Sequence, residues 1–283
     1  MVKKIFKIAL YSIRQWTAEL RIVLLFIFMF LFIWNDLKRV GSFANLMDMN
    51  ANPLVFSFYS NNVVKHLILL VGIIFLFSDV PFINKSQPYV FIRSRRSSWV
   101  LGQALYIVIA GAIYFLVLMG VSILVMLPNG TFATEGWGKI INTLAQTNAG
   151  KMADLQFGIS EKIISSYSPW EAFVLTFLLN WGVATFLGML MFVVSLYFNR
   201  MLALVAAGIV VFFDLLIVNG LSYYFYYISP VTLSRLGCLD PKETSIIPSV
   251  IYPFIFYGIS IVVLSVLLLF GIRKKPIEIT SEI

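Results

Sequence analysis

The sequence predicts an all-α integral membrane protein: six transmembrane helices, an N-terminal amphipathic helix at the membrane interface, and both termini in the cytoplasm. Three observations predict it. Apolar stretches at about residues 20 to 35, 63 to 78, 100 to 127, 170 to 197, 202 to 222 and 247 to 272 approach the ~20 mainly apolar residues that cross a bilayer. The chain is 60% hydrophobic and 12% charged, with a mean hydropathy of +0.92, and a soluble core of that composition would leave apolar surface in water. More than half of the 21 lysines and arginines fall in the segments that such a topology places inside: Lys3, Lys4, Lys7, Arg14, Arg21, Lys85, Arg93, Arg95, Arg96, Arg200, Arg273, Lys274 and Lys275. That bias orients both termini toward the cytoplasm. The excess positive charge then faces the anionic inner leaflet, so it needs no nucleic acid to account for it.

Residues 1–19 form the first element. On a helix, Lys3, Lys4, Lys7, Tyr11 and Arg14 share one arc, and Phe6, Ala9, Leu10, Ile13 and Trp16 share the opposite one. This is an interfacial helix, with Lys4, Lys7, Arg14 and Trp16 as its membrane-surface residues, read either as a basic anchor or as a part that moves during transport. The first span follows, and because no small-residue cleavage site comes after Trp34, it is read as a retained helix rather than a signal peptide. Trp34, Trp99 and Trp170 stand at span ends, where an amphipathic ring is favoured.

A cytoplasmic loop at 79–99 joins the second and third spans. Pro81 stops the second helix, and Pro88 suits the first turn of a short new one carrying Tyr89, Phe91 and Ile92 ahead of Arg93, Arg95 and Arg96. Exposed aromatics beside arginine are the residue types that anchor protein interfaces, and a positive-inside loop lying on the membrane is the plainer alternative. The extracellular loop at 128–169 is too long for a mere connection. Ile140, Ile141 and Leu144, then Met152, Leu155, Ile159 and Ile163, predict two amphipathic helices within it. Ser168-Pro169-Trp170-Glu171 reads as a capping box opening the fourth span. Asn199-Arg200 makes a tight turn into the fifth. The extracellular loop at 223–246 opens on Tyr223-Tyr224-Phe225-Tyr226-Tyr227, which suits a re-entrant segment, an aromatic plug or an interfacial belt.

The catalytic inventory is nearly empty. His66 is the one histidine and has no cluster of carboxylates or cysteines at metal-ligand spacing; Cys238 is the one cysteine, so no intrachain disulfide forms. Gly130, Gly136 and Gly138 do not have phosphate-loop spacing. Neither a catalytic nor a metal site is expected in this chain. Among polar residues inside spans, Asp214 is the clear intramembrane carboxylate and should face protein or water. It is read either as an interhelical hydrogen-bonding group or as a substrate or gate residue. Asn180, Trp181 and Asn219 are the other candidates for the same pathway.

The basic N-terminal helix, six spans, the aromatic and basic loop running from Tyr89 to Trp99 with Gly102-Gln103 after it, and Ser229-Pro230 before the last span together resemble the permease subunits of type-2 ABC exporters, a half of the type V exporter architecture. The likeness covers nearly the whole chain and rests on architecture more than on any one motif. It implies that Tyr89, Phe91, Ile92, Arg93, Arg95 and Arg96 form a coupling helix docking on a separate ABC ATPase, which would hold ATP and Mg, this chain holding no cofactor itself. It also implies a second permease copy, identical or not, and residence in a bacterial cell membrane. The implied cargo is an amphipathic substrate, an antimicrobial or toxin-like peptide first and lipids or hydrophobic drugs next. The long outer loop after the third span departs from the better-known exporters of this fold. An ion-coupled carrier titrating Asp214 is the reading from a different class.

Overall fold

The computed structural model describes residues 2–81, 96–132, 136–242 and 246–274. Among the described residues the regular structure is helical, with two isolated β-bridges, Ala51 with Gly130 and Asp240 with Ser249. We call the two ends of the bundle inner and outer, after the orientation that charge predicts.

Helix α1 (Val2–Arg14) keeps Lys3, Lys4, Lys7 and Arg14 exposed, as its polar arc requires. Its apolar arc is divided. Phe6 and Leu10 remain exposed, while Ile8, Ala9 and Trp16 are buried toward the third apolar helix. A side chain at Gly102 would meet Ile8 at 2.8 Å, so that glycine sets how closely the two helices approach.

Helix α2 (Leu20–Leu46) has 27 residues, about 40 Å at 1.5 Å per residue, and runs well past the predicted end near residue 35. Ile33, Leu37, Val40 and Ala44 are all buried, so the inward stripe continues at helical spacing after Asp36, Lys38 and Arg39 have made the composition polar.

The predicted second span is corrected. A separate short helix, α3 (Phe56–Asn61), precedes the helix predicted at 63 to 78, α4 (Val63–Leu76), which has only 14 residues. Asn62 breaks the helix with extended backbone and caps α4, its side chain accepting from the Lys65 amide at 3.2 Å. Five helices among the described residues, not six, are long and apolar enough to cross a membrane: α2, α5 (Arg96–Met126), α9 (Pro169–Tyr197), α10 (Arg200–Val218) and α12 (Tyr252–Lys274). Helix α4 nevertheless packs inside the bundle. A Cβ at Gly72 would stand 2.2 Å from the Tyr114 hydroxyl and 2.4 Å from Met29, so any side chain there would make those two buried residues shift.

The capping box at the start of α9 forms as the spacing predicts. The Ser168 hydroxyl accepts from the Glu171 amide at 3.4 Å, and the Glu171 carboxylate accepts from the Ser168 amide at 2.9 Å. Asn199 caps α10, accepting from the Leu202 amide at 2.8 Å.

The outer loop folds as α6 (Gly138–Gln146), α7 (Ala149–Met152) and α8 (Glu161–Ser166). Ile140, Ile141, Leu144 and Ile163 are buried, and the Trp137 indole donates to the Tyr167 carbonyl at 3.0 Å. The predicted second amphipathic helix is broken: Asp154 adopts φ +51°, a left-handed turn, which leaves Met152 exposed and off the face that carries Ile163. After α10, Tyr223–Tyr227 form a 3-10 turn with Tyr223 and Tyr224 exposed. It is the next segment, residues 229–236 with α11 (Pro230–Leu233), that is buried, rather than the tyrosines.

Candidate functional site

Two polar clusters, one at each end of the bundle, tie the helices together. The outer one is buried. Ser229 caps α11 by accepting from the Thr232 amide at 3.2 Å, with Pro230 at the first helical position. This turn aims Thr232 and Arg235 at Asp214 on α10. The Thr232 hydroxyl donates to the Asp214 carboxylate at 2.5 Å and the Arg235 guanidinium at 2.9 Å. Both ionic side chains are about 5% exposed or less, so the pair is a desolvated one.

The neighbouring residue extends the cluster. The Ser234 hydroxyl lies 2.7 Å from the Val231 carbonyl, to which it can donate, and 2.8 Å from His66 Nε2, with which it shares a hydrogen bond. On α4 the residue before His66 is Lys65, whose ammonium pairs with Asp36 of α2 at 2.8 Å and lies 4.8 Å from the centre of the Phe32 ring. The Tyr59 hydroxyl donates to the same carboxylate at 3.3 Å. The consecutive pairs Lys65-His66 and Ser234-Arg235 thus stitch two buried ion pairs into one chain across α2, α4, α11 and α10. Further bonds fix the buried segment from other sides. The Tyr257 hydroxyl of α12 donates to the Pro230 carbonyl at 2.6 Å, Asn61 accepts from the Gly237 amide at 2.9 Å, and Lys162 of α8 donates to the Gly237 carbonyl at 3.1 Å. Burial lowers the pKa of Lys162 and raises that of the Cys238 thiol beside it.

The inner cluster surrounds residues 78–80, just after α4. Arg21 of α2 and Arg200 of α10 both pair with the Asp79 carboxylate. Arg21 also donates to the Ser78 hydroxyl at 2.6 Å, Arg200 to the Ser78 carbonyl at 2.5 Å, and Ser195 of α9 to the Val80 carbonyl at 3.0 Å. Glu19 lies 3.4 Å from Arg21. Here the charged side chains are between 25% and 54% exposed, so water and salt reach them.

The residues singled out in sequence are distributed unevenly over these clusters. Asp214 is at the heart of the outer one. Asn180 is buried but bonds within its own helix, to the Thr176 carbonyl at 2.8 Å, and Trp181 donates to the Val108 carbonyl of α5 at 2.8 Å. Asn219 is exposed and bonds back to Leu215 at 2.6 Å. These three do not share hydrogen bonds with Asp214. Lys4, Lys7 and Arg14 lie exposed along α1, whereas Trp16 is buried and donates to the Tyr106 hydroxyl at 2.9 Å. Arg96 is exposed at the start of α5; Tyr89, Phe91, Ile92, Arg93 and Arg95 lie outside the described residues. Asp36, Lys65, Arg235, Asp79, Arg21 and Arg200 carry the clusters and were not singled out. The available signal was a set of charges interrupting or flanking apolar runs, but nothing in one dimension pairs Asp36 with Lys65 or Asp214 with Arg235.

Between α2 and α4 lies an apolar groove of about 540 Å³, lined by Leu24, Phe28, Met29, Ile68, Val71 and Phe75 among others. No group of three or more metal-ligating side chains occurs among the described residues. The long apolar helices define a multi-span helical bundle consistent with a multi-pass membrane protein. No family model, curated protein or solved structure matches the chain.

Proposed function

We propose that this chain is the membrane subunit of an ATP-driven exporter, working with a separate ATPase that docks on the cytoplasmic connection between α4 and α5. The observation that carries the reading is the inner cluster. The three residues leading into that connection are gripped by side chains from α2, α9 and α10, so force applied to the connection is delivered to three spanning helices at once. In this reading Tyr89, Phe91, Ile92, Arg93, Arg95 and Arg96 contact the ATPase, ATP and Mg reside in that partner, and both termini are cytoplasmic in a bacterial cell membrane. The apolar groove beside α2 and α4 favours a cargo with a substantial apolar face, such as an amphipathic peptide, ahead of a fully polar solute. A second permease copy completes the pathway.

The ion-coupled alternative asks Asp214 to bind and release a proton. Its carboxylate already accepts from Arg235 and Thr232 inside a buried pair, so the arrangement favours a fixed lock. Purification of the tagged chain from its native membrane tests the proposal. A stoichiometric ATPase should accompany it, and Tyr89→Asp with Phe91→Asp should uncouple hydrolysis from transport. Transport that continues without ATP and stops when the proton gradient is collapsed would instead establish the carrier.

A further inference from the structure

We propose that Asp79 is the positioning residue that makes the inner ends of α2 and α10 follow the connection at 82–95; the transport part of this rests on the exporter reading above. Arg21 and Arg200 come from helices far apart in sequence, and each places its guanidinium on a different oxygen of the one Asp79 carboxylate. Without that carboxylate the two guanidiniums face each other as like charges, so a single neutralising change converts attraction into repulsion. Ser78 and Val80 on either side are held as well, by Arg21, Arg200 and Ser195. The three residues before the connection are thereby tied to those helices.

The cluster also reaches α1. A cavity of about 20 Å³, room for one water, is lined by Ser12, Gln15 and Trp16 from the N-terminal segment, and by Glu19, Arg21 and Asp79. The partial exposure of the ionic groups matters for this role. A desolvated pair at this position would lock the helices permanently, whereas a wetted one is stable at rest and can rearrange under load.

The test uses the full chain in lipid nanodiscs. In a Cys238→Ala background, spin labels replace the exposed Leu20 and Met201, at the inner starts of α2 and α10, and the distance between them is measured for the native residue, Asp79→Asn and Asp79→Glu. Separately, maleimide labelling of native Cys238 reports whether the outer end stays folded. The proposal expects Asp79→Asn to lengthen and broaden the inner distance, Asp79→Glu to restore it, and Cys238 labelling to stay at the native rate. An unchanged distance in Asp79→Asn, or faster Cys238 labelling showing general unfolding, overturns it. In vesicles made from the native membrane, ATP should shift the 20–201 distance in the native chain and not in Asp79→Asn; a shift that persists in Asp79→Asn also overturns it. A native chain that ignores ATP removes the exporter reading, while the ATP-free distances still decide whether Asp79 holds the two helices.

Discussion

The outer and inner clusters are built from the same residue types, carboxylates facing arginine or lysine, yet they differ in access to water. At the outer end Asp36–Lys65 and Asp214–Arg235 are almost fully enclosed, and tyrosine, threonine, histidine and serine complete the chain. At the inner end Asp79 is shared by two arginines that water reaches. Removing one partner of a desolvated pair leaves a buried charge without compensation, whereas an exposed pair can be exchanged for water at little cost. On the exporter reading, that difference suits an outer end that holds one arrangement and an inner end that rearranges.

The comparison can be broken most directly at Arg235. Arg235→Ala is expected to cost about 3–5 kcal/mol, read as a large drop in thermal midpoint in detergent, because Asp214 is left buried and unpaired. Replacing both partners, Asp214→Leu with Arg235→Met, should recover most of the loss; if the double variant is as unstable as the single one, charge pairing is not what holds the outer end. Next in size is Gly72→Ala, expected to cost about 1–3 kcal/mol by driving α4 away from Tyr114 and Met29, and measurable as a lower midpoint with loosened α4 protection in hydrogen exchange. Ser168→Ala should cost about 1 kcal/mol through loss of the α9 cap, a reference for an ordinary local effect. The smallest effect belongs to the inner end. Arg200→Ala should change the midpoint by ~1 kcal/mol or less, and that change should fade in high salt, whereas the Arg235→Ala deficit should persist. A salt-sensitive outer deficit would erase the distinction between the two ends.

Legibility in the sequence follows the same physical divide. The α9 cap was readable because its partners are three residues apart, and α5, α9 and α10 because their apolar runs are long. The outer extension of α2 was missed where Asp36, Lys38 and Arg39 interrupt the composition, although Leu37, Val40 and Ala44 preserve the inward period. Residues 63 to 78 read as a full span because they are apolar nearly throughout, and composition does not show that the helix ends at Phe77 after only 14 residues. Asp214 was recognised as a carboxylate needing a protein partner, but Arg235 lies 21 residues away in a buried turn whose burial no local pattern announces. Asp79 is not marked by sequence because a single acid two residues before Pro81 looks like a helix end, and its meaning depends on Arg21 and Arg200 converging in space.

The central claim is that the inner end rearranges while the outer end stays fixed. Paired spin-label distances measured with and without ATP in vesicles of the native membrane test it most directly. One pair, at Leu20 and Met201, spans the inner cluster, and the other, at Val64 and Leu216, spans the outer one; all four positions are exposed. The account predicts that ATP shifts the inner distance and leaves the outer one unchanged, whereas a shift confined to the outer pair, or none in either, would contradict it.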